Sequence, residues 1–380
     1  MLRFLTAGES HGKALVAIVD GMPAGLRIDE EYIARDLRRR QAGYGRGARM
    51  KIEQDHAEIL SGVRFGLTLG SPIALLIQNR DWENWKEAMS VSHTETKAEP
   101  VTRVRPGHAD LPGALKYHQE QDVRAILERA SARETAARVA AGAVARRFLE
   151  EFGVQVHSHT VAIGGVHARP VHDIDWVALE SSPVRTADAE AEKKMIKVIE
   201  AAKTAGDTLG GLFEVEATSV PIGLGSHVQW DRKLSTRIAA AIMSINAVRM
   251  VEIGSGLAAA QMPGSQFHDV LQPGKTWKHV SNSAGGIEGG MSNGEPIVVS
   301  AAIKPIPTLA NPLPSVDIRT GERVAAHQER SDVCVVPAAG VVAEAMLALV
   351  LAEAFLEKFG GDHVDETRRN LEAYVKGIGG

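Results

Sequence analysis

The chain is 380 residues long, 44% hydrophobic and 24% charged, with 43 basic against 47 acidic residues and a net charge of −4. That length suits one large domain or two ordinary ones, and the near balance of charge excludes a global attraction to nucleic acid or anionic lipid. The lone Cys334 excludes an internal disulfide and a cysteine-based zinc centre.

A reducing, cytoplasmic setting is expected. No basic-then-apolar leader is seen, and Glu344 and Glu353 interrupt the longest apolar stretch, 338–356, before it reaches the ~18 residues of a membrane span.

Taken in chain order, Leu2–Ala7 reads as a strand, and Ala14–Val19 as a second apolar strand. Between them Gly8-Glu9-Ser10-His11-Gly12 presents a hydroxyl beside an imidazole on a tight turn. Residues 30–42 read as a helix with an acidic start and a basic end, closed by Gly43-Tyr44-Gly45-Arg46-Gly47. From Arg35 to Lys51 seven basic residues face one acid, Asp36. Alternation and glycines over 57–79 predict antiparallel strands, and 80–105 reads as a long surface loop and candidate lid.

An Ala-rich helix is expected over 121–152, strands over 154–165 and 212–222, and a charged amphipathic helix over 186–205. A helix over 232–245 with Asp231 as its cap follows, and 254–330 reads as loops and short strands. The last helix, 338–359, is apolar nearly all round, which implies burial on several sides. Phe148-Leu149-Glu150-Glu151-Phe152-Gly153 recurs as Phe355-Leu356-Glu357-Lys358-Phe359-Gly360. Internal pseudo-duplication explains this echo; two buried helices reaching the same ending by coincidence is the alternative. No linker separates two units, so 1–380 reads as a single domain.

Familiar nucleotide motifs fail. No G-x-G-x-x-G follows a strand, and Gly274-Lys275-Thr276 lacks the first P-loop glycine, its place being held by Asp269. His157 and His159 alternate in a strand and read as surface residues, and no metal site is expected. Five constellations remain: Ser10-His11; the basic loop of Arg40, Arg46 and Arg49; Arg105-Pro106-Gly107-His108-Ala109-Asp110; Glu128-Arg129-Ala130-Ser131-Ala132-Arg133-Glu134; and Glu329-Arg330-Ser331-Asp332. Each alone reads as solvated surface. Together, two histidines and at least six arginines in Gly-, Pro- or Ser-flanked settings suit a small, highly anionic ligand.

These motifs give the chain a resemblance. Gly8–Gly12 running to Asp20-Gly21-Met22-Pro23, Glu128–Arg133, and Arg330-Ser331-Asp332 leading to Glu344 resemble chorismate synthase signatures. Arg105–Asp110, Asn282–Gly290 and Lys304-Pro305-Ile306-Pro307-Thr308 fit in the same order, so the resemblance covers essentially the whole chain. Asn246-Ala247 is a small variation on the family pattern.

The resemblance implies an α+β fold, a β-α-β sandwich with a central helical layer between two antiparallel sheets, assembled as a homotetramer. It implies anti-1,4-elimination of phosphate from C3 and hydrogen from C6 of 5-enolpyruvylshikimate 3-phosphate, giving chorismate, with reduced FMN and no net redox change. By motif position His11, His108 and Asp332 would be catalytic. His11 would give a proton to the phosphate, His108 would protonate the flavin or hold its charge, and Asp332 would relay a proton from flavin N5. Ser10, Arg40, Arg46, Arg49, Arg105, Ser131, Arg133 and Arg330 would bind substrate. Arg129, Ala130, Ser131, Asn246, Ala247, Gly289, Lys304, Pro305, Ile306, Pro307, Thr308 and Arg330 would hold FMN, and Arg40 and Arg46 match positions given to NADP.

NADPH, or an external flavin reductase, would supply the reductant. A flavin oxidoreductase on another polyanion, or an RNA-binding module gripping RNA through Arg35–Lys51, are the rival readings. Against the second stand the net negative charge and an aromatic content of only 4%.

Overall fold

Period-two alternation at the amino terminus produces a hairpin. Strands β1 (Arg3–Ala7) and β2 (Ala14–Asp20) pair antiparallel with Leu5 opposite Ile18. Leu15, Ala17 and Val19 turn into the core while Leu5 and Ile18 face outward. With β3 (Ala57–Ile59) and β4 (Ile73–Gln78) they form an antiparallel sheet in the order β1-β2-β4-β3. The structure, a computed structural model, describes all residues except 48–53, 94–97, 172, 275–276, 330 and 380. Lys275 and Thr276 of the P-loop-like run therefore lie outside the described residues.

Helix α1 (Glu30–Gln41) begins where the Asp29 carboxylate accepts the Tyr32 N–H, and its charges run acidic to basic along the helix dipole. The single helix expected over 121–152 is instead divided. After α2 (Asp110–Tyr117) come α3 (Arg124–Ala130), a 3-10 turn at Ala132–Glu134, and α4 (Thr135–Glu150). The break is at Ser131, whose backbone is extended (ψ 141°) and whose Oγ accepts the Arg133 N–H. A serine that bonds the local backbone offers the chain an alternative to the helix, which alanine richness alone conceals.

The second sheet contains β5 (Gln155–Ile163), β6 (Val166–His167), β7 (Gly211–Thr218), β8 (Val248–Ile253) and β9 (Ile297–Ile303), in the antiparallel order β8-β9-β7-β5-β6. β9 lies inside a stretch that glycine and proline had marked as loop-rich. The amphipathic helix α5 (Ala189–Ala205) is capped by Asp188. α6 (Leu234–Met243) is entered from Lys233; Asp231 sits one turn earlier in the 3-10 turn Trp230–Arg232 and does not cap it. α7 (Val336–Phe359) and α8 (Val364–Gly377) end the chain. The architecture is α+β.

α4 lies against β2 and β4 of the first sheet, and α7 against β5 and β7 of the second. The two helices cross closely because Gly142 has no side chain: a Cβ there would stand 2.6 Å from Ala345 Cα. At their far ends the echoed sequences meet, with the Phe148 and Phe355 rings 5.7 Å apart and Phe152 and Phe355 4.7 Å apart. α7 has the length and apolarity of a membrane span, but 89% of that window is buried by the rest of the fold.

Its one central acid, Glu344, is fully buried and meets Arg39 at 2.6 Å, Arg146 at 2.5 Å and Ser158 Oγ at 2.6 Å. Burial would raise its pKa, yet the guanidiniums of Arg39, Arg146 and Arg185 hold it well below the usual carboxylate range. His157 and His159 of β5 are not surface residues. They are half-buried against Trp176, the His157 ring stacking at 4.8 Å, and burial pushes His159 down to about 4.

Candidate active site

The turn between β1 and β2 is forced into shape by Gly8, whose φ of +102° is open to glycine and where a Cβ would stand 2.9 Å from Leu15 Cα. It delivers Ser10 and His11, both buried, against the end of α3. The Ser10 N–H donates to the Glu128 carbonyl, and Ser131 Oγ donates to Ser10 Oγ at 3.1 Å. The His11 N–H donates to Glu128 Oε2 at 2.7 Å, and His11 Nδ1 lies 2.9 Å from Glu128 Oε1. Trp85, from the stretch expected to be a surface loop, stacks on the His11 ring at 4.0 Å. Arg124 lies over the other side of that indole, 5.1 Å from its centre.

His108 repeats the arrangement. Its Nδ1 is 2.5 Å from Asp110 Oδ1, at the buried start of α2. Arg105 spans the same carboxylate with its side chain, at 2.8 and 3.1 Å, and donates to Thr308 Oγ1 at 3.0 Å. Burial works against the Asp110 charge, but the hydrogen bonds from His108 and Arg105 keep its pKa below the ordinary range. Both histidines thus have Nδ1 committed to a buried carboxylate, leaving Nε2 as the ring nitrogen for a ligand.

The cations converge by packing rather than by sequence. Arg40, at the end of α1, donates to Thr135 Oγ1, to Asp55 and to the Ala132 carbonyl. Arg133 donates to Asn79 Oδ1 at 3.0 Å and to Asp55 at 2.5 Å. Burial pushes Arg40 down to about 10, with Arg133 and Arg46 adding repulsion and Asp55 opposing it. A buried guanidinium under that strain gains from an anion beside it. Arg46 pairs with Asp332 at 2.9 Å.

A less charged wall completes the space. Asn246 donates to the Ala130 carbonyl, while its buried Oδ1 has no hydrogen-bond partner among the described residues. Ala247 holds a left-handed φ of +67°, a conformation costly for alanine and typical of functional turns. Lys304 Nζ donates to the Gly107 carbonyl at 2.5 Å, joining the end of β9 to the His108 turn. Val335, Ala338, Ala339 and Val342 of the α7 start supply apolar surface.

Ser10, Ser131, the two histidines, Trp85, the arginines and the wall of Asn246, Ala247 and Lys304 line one cavity of about 720 Å³, and the carboxylates Glu128, Asp110 and Asp55 that hold them are not on its surface. Among the described residues seven Arg or Lys side chains line it against two carboxylates, Glu329 and Asp332. Of the residues singled out from sequence, Ser10, His11, Arg40, Arg46, Arg105, His108, Ala130, Ser131, Arg133, Asn246, Ala247, Lys304, Ile306, Pro307, Thr308 and Asp332 are on its wall. Pro305 sits between wall residues. Arg129 is turned away, donating to the Gly8 and Thr6 carbonyls at the end of β1. Gly289 is exposed at the turn of the hairpin Ile287–Ser292 and is not on this wall. Arg49 and Arg330 lie outside the described residues.

Sequence reasoning passed over Glu128, Asp110, Asp55, Trp85 and Arg124. Asp110 stands two residues from His108, and that adjacency was the available signal; Glu128 is 117 residues from His11 and carried none. Nothing in the sequence ties Asp55 or Trp85 to the site, since each arrives from a separate loop.

Comparison with known proteins agrees along the chain. A family profile described as "Chorismate synthase" matches residues 2–356. A chorismate synthase of Geobacter sulfurreducens is 57% identical over 99% of both chains. One of Aquifex aeolicus is 56% identical over 99% of this chain and 98% of that one. A solved structure described as "Crystal Structure of Chorismate Synthase" superposes with a TM-score of 0.81 at 46% identity, covering 99% of this chain and 98% of that one.

Proposed function

The chain belongs to the chorismate synthase family, and from that premise we propose how its cavity performs the family's reaction. The enzyme is a lyase of aromatic amino acid biosynthesis. It breaks the C3–O bond of 5-enolpyruvylshikimate 3-phosphate, releases phosphate, removes a hydrogen from C6 and leaves the new double bond of chorismate. The observation that carries the site reading is the meeting of His11, His108 and Asp332 with buried arginines in one cavity.

The substrate brings two carboxylates and a phosphate of charge near −2, roughly four negative charges in all. Arg40, Arg46, Arg105 and Arg133 balance them, joined by Arg49 and Arg330. Donors aimed at the phosphate stabilise the charge that grows as the C–O bond breaks. His11 gives a proton from Nε2 to the departing phosphate, with Ser10 and Ser131 orienting it. His108 holds a proton at Nε2 on the cofactor side, its ring fixed by Asp110. Asp332, backed by Arg46, takes the proton leaving the site and passes it outward.

A reduced flavin fits this chain. The partnerless Asn246 Oδ1 suits an imide N–H. The strained Ala247 turn, Ala130-Ser131 and Lys304–Thr308 offer backbone along a flat ligand, and the α7 start covers it with apolar surface. When bound, it supplies electron density to a ring that is losing an anion, which is how a redox cofactor serves a reaction without net redox change. We take the cofactor as reduced FMN, with Arg330 as a further contact, and the reductant as NADPH, from this chain through Arg40 and Arg46 or from an external flavin reductase.

The same reading takes the fold as a β-α-β sandwich and the phenylalanine echo as a trace of duplication. Its support is α4 on one sheet, α7 on the other and the aromatic contact between their ends. It takes the assembly as a cytoplasmic homotetramer; the outward Leu5–Ile18 pair, with Leu5 71% exposed, is apolar surface such an assembly covers.

Anaerobic phosphate release with and without reduced FMN tests the function. Release that needs reduced FMN, with reductant in trace amount, is expected. NADPH consumed in step with product would instead mark an oxidoreductase.

A further inference from the structure

We propose that Glu128 is the positioning residue for His11, fixing which ring nitrogen carries the proton and stabilising the doubly protonated ring that donates it. The proposal rests on His11 as the proton donor to the leaving phosphate.

Glu128 is fully buried, and both of its oxygens meet His11. Oε2 accepts the His11 backbone N–H at 2.7 Å, and Oε1 faces His11 Nδ1 at 2.9 Å. The chain segment and its imidazole are therefore set by a single carboxylate, in the way a carboxylate orients a catalytic histidine elsewhere. The Glu128 carbonyl also holds the Ser10 N–H, so both polar residues of the turn register against one residue of α3.

The stack closes the arrangement. Trp85 covers the His11 ring at 4.0 Å, Arg124 covers Trp85, and Arg124 is 3.7 Å from Glu128 Oε1, one helical turn away. His11 cannot rotate out from under the indole or release Nδ1 without taking its side-chain partner from a buried carboxylate.

The proton bookkeeping follows. With Nδ1–H donated to Glu128, the neutral ring has Nε2 open. Protonation there gives an imidazolium whose charge faces the Glu128 carboxylate. Donation to the phosphate oxygen as the C–O bond breaks returns the neutral Nδ1–H ring, and no other reagent is required.

Glu128→Gln breaks this logic without changing shape. The His11 N–H still claims the amide oxygen, so the amide NH2 points at Nδ1. Nδ1 must then accept, the proton moves to Nε2, and the imidazolium loses its counter-charge. The expected result is a kcat lowered by ~100-fold, the scale of a displaced general acid, with KM changed by less than ~3-fold because ground-state binding is retained. Ring-15N histidine spectroscopy of the protein without substrate should show the His11 proton on Nε2 in Glu128→Gln and on Nδ1 in the natural chain. Glu128→Asp keeps the charge and should return the proton to Nδ1 and recover much of kcat, whereas a purely structural role predicts no such rescue.

A natural Nδ1 signature in Glu128→Gln together with kcat within ~3-fold of normal overturns the proposal. If Glu128→Gln moves the proton to Nε2 while His11→Ala turns over normally, positioning is supported and the donor role of His11 falls.

Discussion

Asp332 Oδ2 lies 2.9 Å from the Arg46 guanidinium while its Oδ1 accepts the Gly47 N–H at 2.5 Å. One carboxylate thereby fastens the loop after α1 to the segment leading into α7, across almost the whole sequence. In Asp332→Asn the pair with Arg46 is lost and the group can no longer take a proton. Chorismate formation in a single turnover, followed by absorbance, is expected to slow by ~100-fold or more. An unchanged rate would remove Asp332 from the proton route.

His11→Ala should keep reduced FMN binding, measured by anaerobic titration, because the Asn246–Ala247 and Lys304–Thr308 surfaces are untouched. Turnover should fall by ~10²–10⁴-fold, the range for a lost general acid. Near-normal phosphate release would remove His11 from the mechanism.

Asp55 stands between Arg40 at 3.3 Å and Arg133 at 2.5 Å, all three buried. Asp55→Asn leaves two guanidiniums without their shared counter-charge, a change that costs about 3–5 kcal/mol when a buried pair is broken from one side. Thermal unfolding should shift down accordingly. Added inorganic phosphate should recover part of the loss in the variant and do less for the natural protein. Equal effects of phosphate on both would show that the anion does not sit by these arginines.

Glu344 makes stability depend on acid. Its folded pKa is depressed by Arg39, Arg146 and Arg185 below its ordinary 4.5. The stabilisation is thus complete above about pH 4.5 and is lost as pH falls below it toward the folded value, where the unfolded chain binds a proton the folded one refuses. Unfolding temperature should drop steeply below about pH 4.5. Glu344→Gln should be less stable by about 3–5 kcal/mol near neutrality and should show a shallower acid slope. Parallel pH profiles for the two proteins would contradict this account.

Gly142→Ala pits helix propensity against packing. Alanine is better than glycine in a helix interior by about 1 kcal/mol. At this crossing, though, the added methyl meets Ala345 backbone, with Cα at 2.6 Å and O at 2.8 Å, and overpacking of this kind costs about 1–3 kcal/mol. Denaturant unfolding should show a net loss. A more stable variant would mean that α4 and α7 separate easily.

The sequence by itself determined what depends on neighbours along the chain. The β1–β2 alternation, the acidic-to-basic run of α1 and the apolar α7 follow from local pattern, and the ordered motifs were enough to identify the family, whereas the Asp188 cap appears only in the structure. It also named sixteen of the residues on the cavity wall, some because glycine and proline settings mark turns that present side chains and others, Asn246, Ala247, Lys304 and Ile306–Thr308 among them, only through the family resemblance. Other matters were decided only when distant segments packed. The extended backbone at Ser131, which splits the long helix, is held where Ser131 Oγ meets Ser10 from the first hairpin. His157 and His159, polar and alternating in a strand, are covered by Trp176 from a later short helix, Trp176–Leu179. Asp55, Trp85 and Glu128 acquire their meaning only beside Arg133 or His11, since an electrostatic or stacking partner is defined by distance in space. Periodicity reports which face of an element is buried, whereas the cavity arises where several such faces meet, and no local pattern encodes that meeting.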